Sequence, residues 1–210
     1  MLRTSFQIIK ELSTVYNAPR NKLQSLERHQ KLFKVVRGLY ETEKSVSPLF
    51  LSAAIYGPSY ISFETALSVW DLIPEKVTAI TSATFAKNKS KCFDTQFGRF
   101  LYRDIPKSAF PYEVYIKSVG ERNYLIAGKE KSICDMLYKE SPIQSEKRLK
   151  EYLFENLRIE ESDFYKLDFS IICDLCDLYK SSNLRVIKSY VQKNIQIKDV
   201  KNDNTCPAND

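Results

Sequence analysis

The sequence predicts an α+β protein: a short N-terminal winged-helix-like module of two helices plus a β-hairpin, followed by a mixed strand/helix domain ending in a helical bundle. Three observations carry that expectation. Segments of strand composition cluster between residues 77 and 126 and a run of helical periodicity follows them, an order that argues against alternating α/β. Of the 210 residues, 43 % are apolar and 12 % aromatic, with only 5 Gly and 8 Pro, so the chain can build a packed core and is neither wholly disordered nor collagen-like. Charge is uneven: residues 1–38 hold eight basic side chains against Glu11 and Glu27, a net +6 that equals the charge of the whole chain and leaves the other 172 residues neutral.

Phe6, Ile9, Leu12 and Val15 recur every third residue, with Ile8 and Tyr16 widening the stripe, and predict a first amphipathic helix. Asn17-Ala18-Pro19 ends it, and Pro19 suits the first turn of a second helix over 19–30. There Leu23 and Leu26 mark the buried side, while Asn21, Gln24, Ser25 and Arg28 fall on the opposite face, flanked by Arg20 and Lys22. Two β-prone runs, 31–36 and 39–42, surround Arg37-Gly38 and predict a hairpin that projects from the body, with Gly38 at a backbone angle other residues resist. Helix, helix, basic hairpin is the order of a winged helix-turn-helix, whose second helix enters the major groove while the hairpin tracks the backbone. On that reading Arg28 suits guanine and Asn21 or Gln24 adenine; Lys31, Lys34 and Arg37 suit phosphates. The plainer alternative is a helical pair capping the main domain, its charges merely solvated.

This module occupies 1–44, and a larger domain follows over 45–197. It opens with an apolar helix at 48–56, stopped by Gly57-Pro58. Ser62 is placed to cap a helix over 63–70. Strand composition appears in 77–84, 99–103, 114–119 and 124–126, then helical periodicity in 129–138, 145–157, 163–179 and 183–194. Residues 198–210 read as a polar, disordered tail. A second basic island at 85–107 sets Lys87, Lys89, Lys91, Arg99, Arg103 and Lys107 against Asp94 and Asp104. Cationic regions of this kind attract phosphate backbones, so double-stranded DNA is the expected partner.

No run approaches the ~18–20 apolar residues of a membrane span. Residues 1–7 lack the apolar stretch of a secretory signal, so the expected location is cytoplasmic, with no membrane contact. Five cysteines (Cys92, Cys134, Cys173, Cys176 and Cys206) form no framework and read as reduced thiols. A single histidine, His29, argues against hydrolase, metalloprotease and zinc-finger chemistry. Cys173-Asp174-Leu175-Cys176 has the spacing of a redox or zinc pair, yet helical apolar periodicity explains both as small core residues. Glu130, Lys131 and Asp135 match a nuclease carboxylate–lysine set; the i, i+4 spacing of Lys131 and Asp135 more plainly makes an intrahelical ion pair, with Glu130 near the helix start. Tyr60 and Trp70, flanking a short helix, read as core residues before stacking platforms. No catalytic residue, cofactor or metal is expected.

Residues 31–40 (Lys-Leu-Phe-Lys-Val-Val-Arg-Gly-Leu-Tyr), 60–68 (Tyr-Ile-Ser-Phe-Glu-Thr-Ala-Leu-Ser) and 127–135 (Ala-Gly-Lys-Glu-Lys-Ser-Ile-Cys-Asp) read together in that order. They resemble the wing, the Tyr-Ile-Ser-x-x-Ser-Ala-Leu opening of the antitoxin domain, and the Ala-x-x-Glu-Lys-Ala-x-x-Asp helix of AbiEi-type antitoxins. Ile80-Thr81 and Phe97-Gly98-Arg99-Phe100 lie between the last two, as in that family, and the resemblance covers about residues 20–180. It makes Tyr60, Ser62, Glu64, Glu130, Lys131 and Asp135 the family-motif positions. It implies the antitoxin of a type IV toxin–antitoxin, or abortive-infection, pair whose winged helix represses its own promoter. It further implies a functional partner, a nucleotidyltransferase-like toxin, that is countered without a stable complex, and no enzymatic activity. The family's module has three helices ahead of the wing, whereas about 30 residues here hold two, a shortened module. The alternatives are a protein-interaction or structural factor that does not bind DNA and, less favoured, a metal-dependent nuclease built around Glu130.

Overall fold

The computed structural model describes residues 1–203, with side chains through residue 194. The chain opens with a strand, β1 (Leu2–Thr4), that three residues are too few to announce by alternation. Thr4 then caps α1 (Ser5–Leu12): its hydroxyl accepts from the Gln7 amide at 3.2 Å while Gln7 Oε1 accepts from the Thr4 amide at 2.8 Å, a reciprocal capping box. Pro19 starts α2 (Pro19–Arg28). The expected hairpin follows as β2 (Phe33–Val36) and β3 (Leu39–Glu41), with Gly38 at φ +83° between them. The three strands form an antiparallel sheet in the order β1-β3-β2, closed over Ile8, Leu23, Leu32 and Tyr40.

Two expectations fail in this unit. Phe6 and Val15, taken as inward, are each 75 % exposed; Ile8 is the buried residue of α1. At 100° per residue, positions nine apart lie about 180° apart, so a strict three-residue repeat cannot keep one face, and α1 ends before Val15 in any case. Nor does the hairpin project. Val35 is buried, with Val36 and Leu39 packed in the same cluster as Phe93, Phe97, Phe100 and Tyr102 of the main body. Apolar residues on the outward face of the hairpin required a second surface to cover them.

The body is built on a six-stranded mixed sheet containing β4 (Ser59–Ile61), β5 (Ala79–Phe85), β6 (Lys91–Thr95), β7 (Gly98–Ile105), β8 (Val114–Val119) and β9 (Arg122–Ala127), in the order β6-β7-β5-β4-β9-β8. The central β4–β5 pair is antiparallel; β7 runs parallel to β5 and β9 parallel to β4, each brought in by its own hairpin. β4 and β6 were not expected. β4 is a three-residue strand wholly buried, without alternation, and β6 carries the basic island into the sheet edge.

The expected helix at 48–56 is a 3-10 turn (Pro48–Phe50) followed by α3 (Ser52–Ile55). Next comes α4 (Phe63–Val69), then after the sheet α5 (Lys129–Lys139) and α6 (Glu146–Lys150), which continues as a π-helical turn, Glu151–Asn156. The expected helix over 163–179 is two, α7 (Glu161–Phe164) and α8 (Phe169–Tyr179). Asp168 divides them, its carboxylate accepting from the Ser170 and Ile171 amides at 2.9 and 3.4 Å and so starting a new helix. The last helix, α9 (Ser182–Asp203), runs through residue 198, where the polar tail was expected to begin; the rest of that tail and Cys206 lie outside the described residues. Phe164, Leu149, Leu153, Ile172, Leu184 and Ile187 are fully buried where these helices meet. Among the described residues no helix is long and apolar enough to cross a membrane.

Candidate functional site

Helix α2 turns Leu23 inward, so its other face carries Arg20, Asn21, Gln24 and Arg28 into solvent. Lys22 is half-buried, its ammonium 4.6 Å from the centre of the Tyr16 ring. Lys31, Lys34 and Arg37 are exposed around the hairpin. Arg20, Arg28, Lys31, Lys34 and Arg37 make no ion pair among the described residues, whereas Arg3 is paired with Glu11 and Arg122 with Glu41 and Glu43. His29, at the end of α2, keeps its ring on its own helix, with Nδ1 2.7 Å from the Ser25 carbonyl oxygen.

The docked hairpin fixes these cations relative to the sheet edge: Gln96 Nε2 donates to the Lys34 carbonyl at 2.7 Å. Gln96 follows the end of β6 and Lys91 opens it, so Lys91 stands about 17 Å along the strand from the Gln96–Lys34 contact, at ~3.4 Å per residue. Within it Lys89 and Lys91 are exposed, Lys87 lies 5.2 Å from the Tyr56 ring centre, and Arg99 is matched by Asp94 at 2.7 Å.

Four of the motif residues meet elsewhere, in a polar network sealed inside the main core. Lys131 and Asp135, one turn apart on α5, are fully buried with Nζ 3.4 Å from Oδ1. Oδ2 accepts from Ser62 Oγ at 2.6 Å and the Tyr60 hydroxyl at 3.0 Å, and Oδ1 accepts from the Tyr179 hydroxyl at 2.5 Å. Lys131 donates to the Ala109 carbonyl at 2.7 Å and to Tyr179 at 2.5 Å. Burial pushes the Lys131 ammonium down against the pull of Asp135; burial, reinforced by Asp135, pushes the Tyr60 and Tyr179 phenols well up. Every strong donor and acceptor is answered within the network, which suits a core-specifying role more than chemistry.

The other two motif residues stand apart. Glu64 pairs with Arg103 at 2.8 Å, and Glu130, in the first turn of α5, accepts from the Asp168 amide at 3.1 Å. The nuclease set is therefore not assembled: Glu130 faces a loop while Asp135 has no open oxygen, and among the described residues no three His, Cys, Asp or Glu side chains gather as a metal-binding group. Cys176 is buried and its thiol, with burial, raises that of Cys134; Cys173 is half-buried against the same core. Ser62 sits at the N-cap position of α4 without capping it, since its hydroxyl is given to Asp135. Thr81 of β5 takes over, accepting from the Thr65 amide at 3.0 Å and donating to the Ser62 carbonyl at 2.7 Å.

Sequence reasoning missed Tyr179 and Thr81. The signal for Tyr179 was its place on the apolar stripe of α8, since a buried phenol needs a partner; Ile80-Thr81 stood in the family resemblance, but nothing local pointed to the capping role of Thr81. The chain matches no protein-family model and no curated protein.

Proposed function

We propose that this chain is the antitoxin of a type IV toxin–antitoxin, or abortive-infection, pair and represses its own promoter as a cytoplasmic DNA-binding autoregulator without catalytic activity. One observation carries the DNA half: five cations on and beside α2 and the hairpin are exposed and make no ion pair among the described residues, the footprint that a phosphate backbone neutralises. Between them Asn21 and Gln24 offer amide groups to base edges. Strand β1 supports the reading by backing the hairpin with a third strand, so two helices suffice to hold the face. The antitoxin half rests on the motif resemblance and on the convergence of Tyr60, Ser62, Lys131 and Asp135, which gives the motif a folding role.

The test is a fluorescence-anisotropy titration against the upstream promoter and a random duplex. Tighter binding to the promoter is expected, with Arg28→Ala relaxing the preference by ~1–3 kcal/mol. Equal affinity for both duplexes, unmoved by Arg28→Ala, would sink the repressor reading. Co-expression with an adjacent nucleotidyltransferase-like toxin should restore growth without co-purification of the two proteins.

A second reading, a protein-interaction factor that does not bind DNA, is favoured by the edge strand β8. Ile116 and Val119 there are 69 % and 57 % exposed, and Leu125, directly opposite Ile116 on β9, is 42 % exposed.

A further inference from the structure

A cleft of about 520 Å³ opens between the β6–β7 edge of the sheet, α4, the end of α5 and the π-helical turn after α6. None of the α2 or hairpin residues lines it. Among the described residues, two buried polar atoms on its lining lack hydrogen-bond partners: Glu64 Oε2 and the Tyr152 hydroxyl. Arg103 occupies only Oε1 of Glu64. Tyr152 is 6 % exposed; burial raises its phenol, and Glu140, a carboxylate on the same lining, adds to this. Buried groups of this kind are rare because leaving them unpaired is unfavourable. Tyr152 also stands in a π-helical turn, a conformation concentrated at functional sites.

The lining dictates the chemistry of an occupant. Glu64 Oε2 can only accept, so its partner must donate an N–H or O–H. Lys91 and Lys139 line the same cleft, exposed and free of ion pairs among the described residues; with Arg103 matched by Glu64, they outnumber the remaining carboxylate, Glu140, and favour an anion. Leu101 and Met136 add an apolar wall. An inorganic anion leaves Glu64 unanswered, and a neutral amine leaves the lysines so. The volume falls in the ~300–1,000 Å³ range of small-molecule sites.

We propose that this cleft binds a nucleoside phosphate whose base carries an exocyclic amine. The amine donates to Glu64 Oε2, the Tyr152 hydroxyl bonds the base edge or sugar, Leu101 and Met136 flank the base, and the phosphates meet Lys91 and Lys139.

The test is calorimetric titration of the full chain with ATP, GTP, CTP, UTP and inorganic tripolyphosphate. At least one amine-bearing nucleotide should bind, with UTP and tripolyphosphate about tenfold weaker or worse, the discrimination expected when a buried acceptor is left unpaired. Glu64→Gln, Tyr152→Phe and Lys139→Ala should each weaken that nucleotide by about tenfold. Arg28→Ala and Arg37→Ala should leave it unchanged, which separates the cleft from the DNA-binding face. Lys139 is on the exposed rim, so its variant reads the phosphate end even if a buried substitution disturbs folding. No nucleotide binding, tripolyphosphate binding as tight as any nucleotide, or well-folded Glu64→Gln and Lys139→Ala proteins with wild-type affinity would overturn the proposal.

Discussion

Asp135 holds three hydroxyls and an ammonium in a buried site, so removing it takes away the acceptor of all three hydroxyls and the counter-charge of Lys131. Asp135→Ala should lower stability by ~3–5 kcal/mol, the usual penalty for breaking one side of a buried pair, read from urea unfolding. Lys131→Met combined with Asp135→Leu should recover a substantial part of that loss, since neither charge is then left alone. A second prediction concerns Glu41, which ties the small unit to the body through Arg122 on β9 at 3.0 Å. Burial alone would raise its carboxyl, but Arg122, the Met1 ammonium and the Thr42 and Glu43 amides outweigh it and bring the pKa from 4.5 to about 2. A carboxyl depressed in the folded state stabilises fully above its unfolded pKa and loses that contribution as pH falls through the folded one. Stability from this contact should therefore be intact above pH 4.5 and decline toward pH 2; in Glu41→Gln the urea midpoint should change less across that window. At this scale the sequence was partly legible. The i, i+4 spacing of Lys131 and Asp135 announced the ion pair, but spacing carries no information on burial, and Tyr179 joins from a helix 44 residues away.

Helix α4 is capped from outside its own segment, which separates two serine and threonine roles that a linear reading merges. Thr81→Val should cost about 1–2 kcal/mol by leaving the Thr65 amide unanswered and the Ser62 carbonyl with only the Ala66 amide at 3.4 Å. Ser62→Ala should act through Asp135 instead, and a double-mutant cycle should show coupling of Ser62 to Asp135. In the hairpin, a Cβ on Gly38 would meet Ser5 Oγ at a comfortable 3.6 Å, so the penalty is conformational: φ +83° is a region L residues resist. Gly38→Ala should destabilise by roughly 1 kcal/mol or more, measured by thermal unfolding. The glycine signal was readable because a tight turn demands it locally. Strands β4 and β6 were not, since a fully buried three-residue strand shows no alternation and an edge strand with Lys91 and Asp94 resembles a loop. The break between α7 and α8 was likewise hidden, because Phe164, Phe169 and Ile172 keep an apolar rhythm across it.

At the scale of the whole molecule, packing of the hairpin on Phe93, Phe97 and Phe100 joins two basic clusters into one array. Charge arithmetic showed the clusters but not their spacing, which depends on β2 and β6 lying side by side, a contact between residues some 60 positions apart. On the proposed DNA-binding reading, this array has a thermodynamic signature. Each phosphate neutralised releases counterions, so log K should fall linearly with log salt at a slope of about −0.9 per contact. Lys31→Ala, Lys34→Ala and Arg37→Ala should each weaken promoter and random duplex alike and flatten that slope by about 1. Gln24→Ala should leave the slope unchanged and reduce only the preference for the promoter. Lys91 stands about 17 Å along β6 from the Gln96–Lys34 contact, about half of one ~34 Å turn of duplex, and Lys89 precedes it. They can reach the same DNA only if it runs past the hairpin toward β6. Lys89→Ala with Lys91→Ala should thus flatten the slope on a long duplex but not on one trimmed to the α2 site. An equal effect on both lengths would place the island inside the primary footprint, and no effect on either would confine DNA binding to the small N-terminal unit.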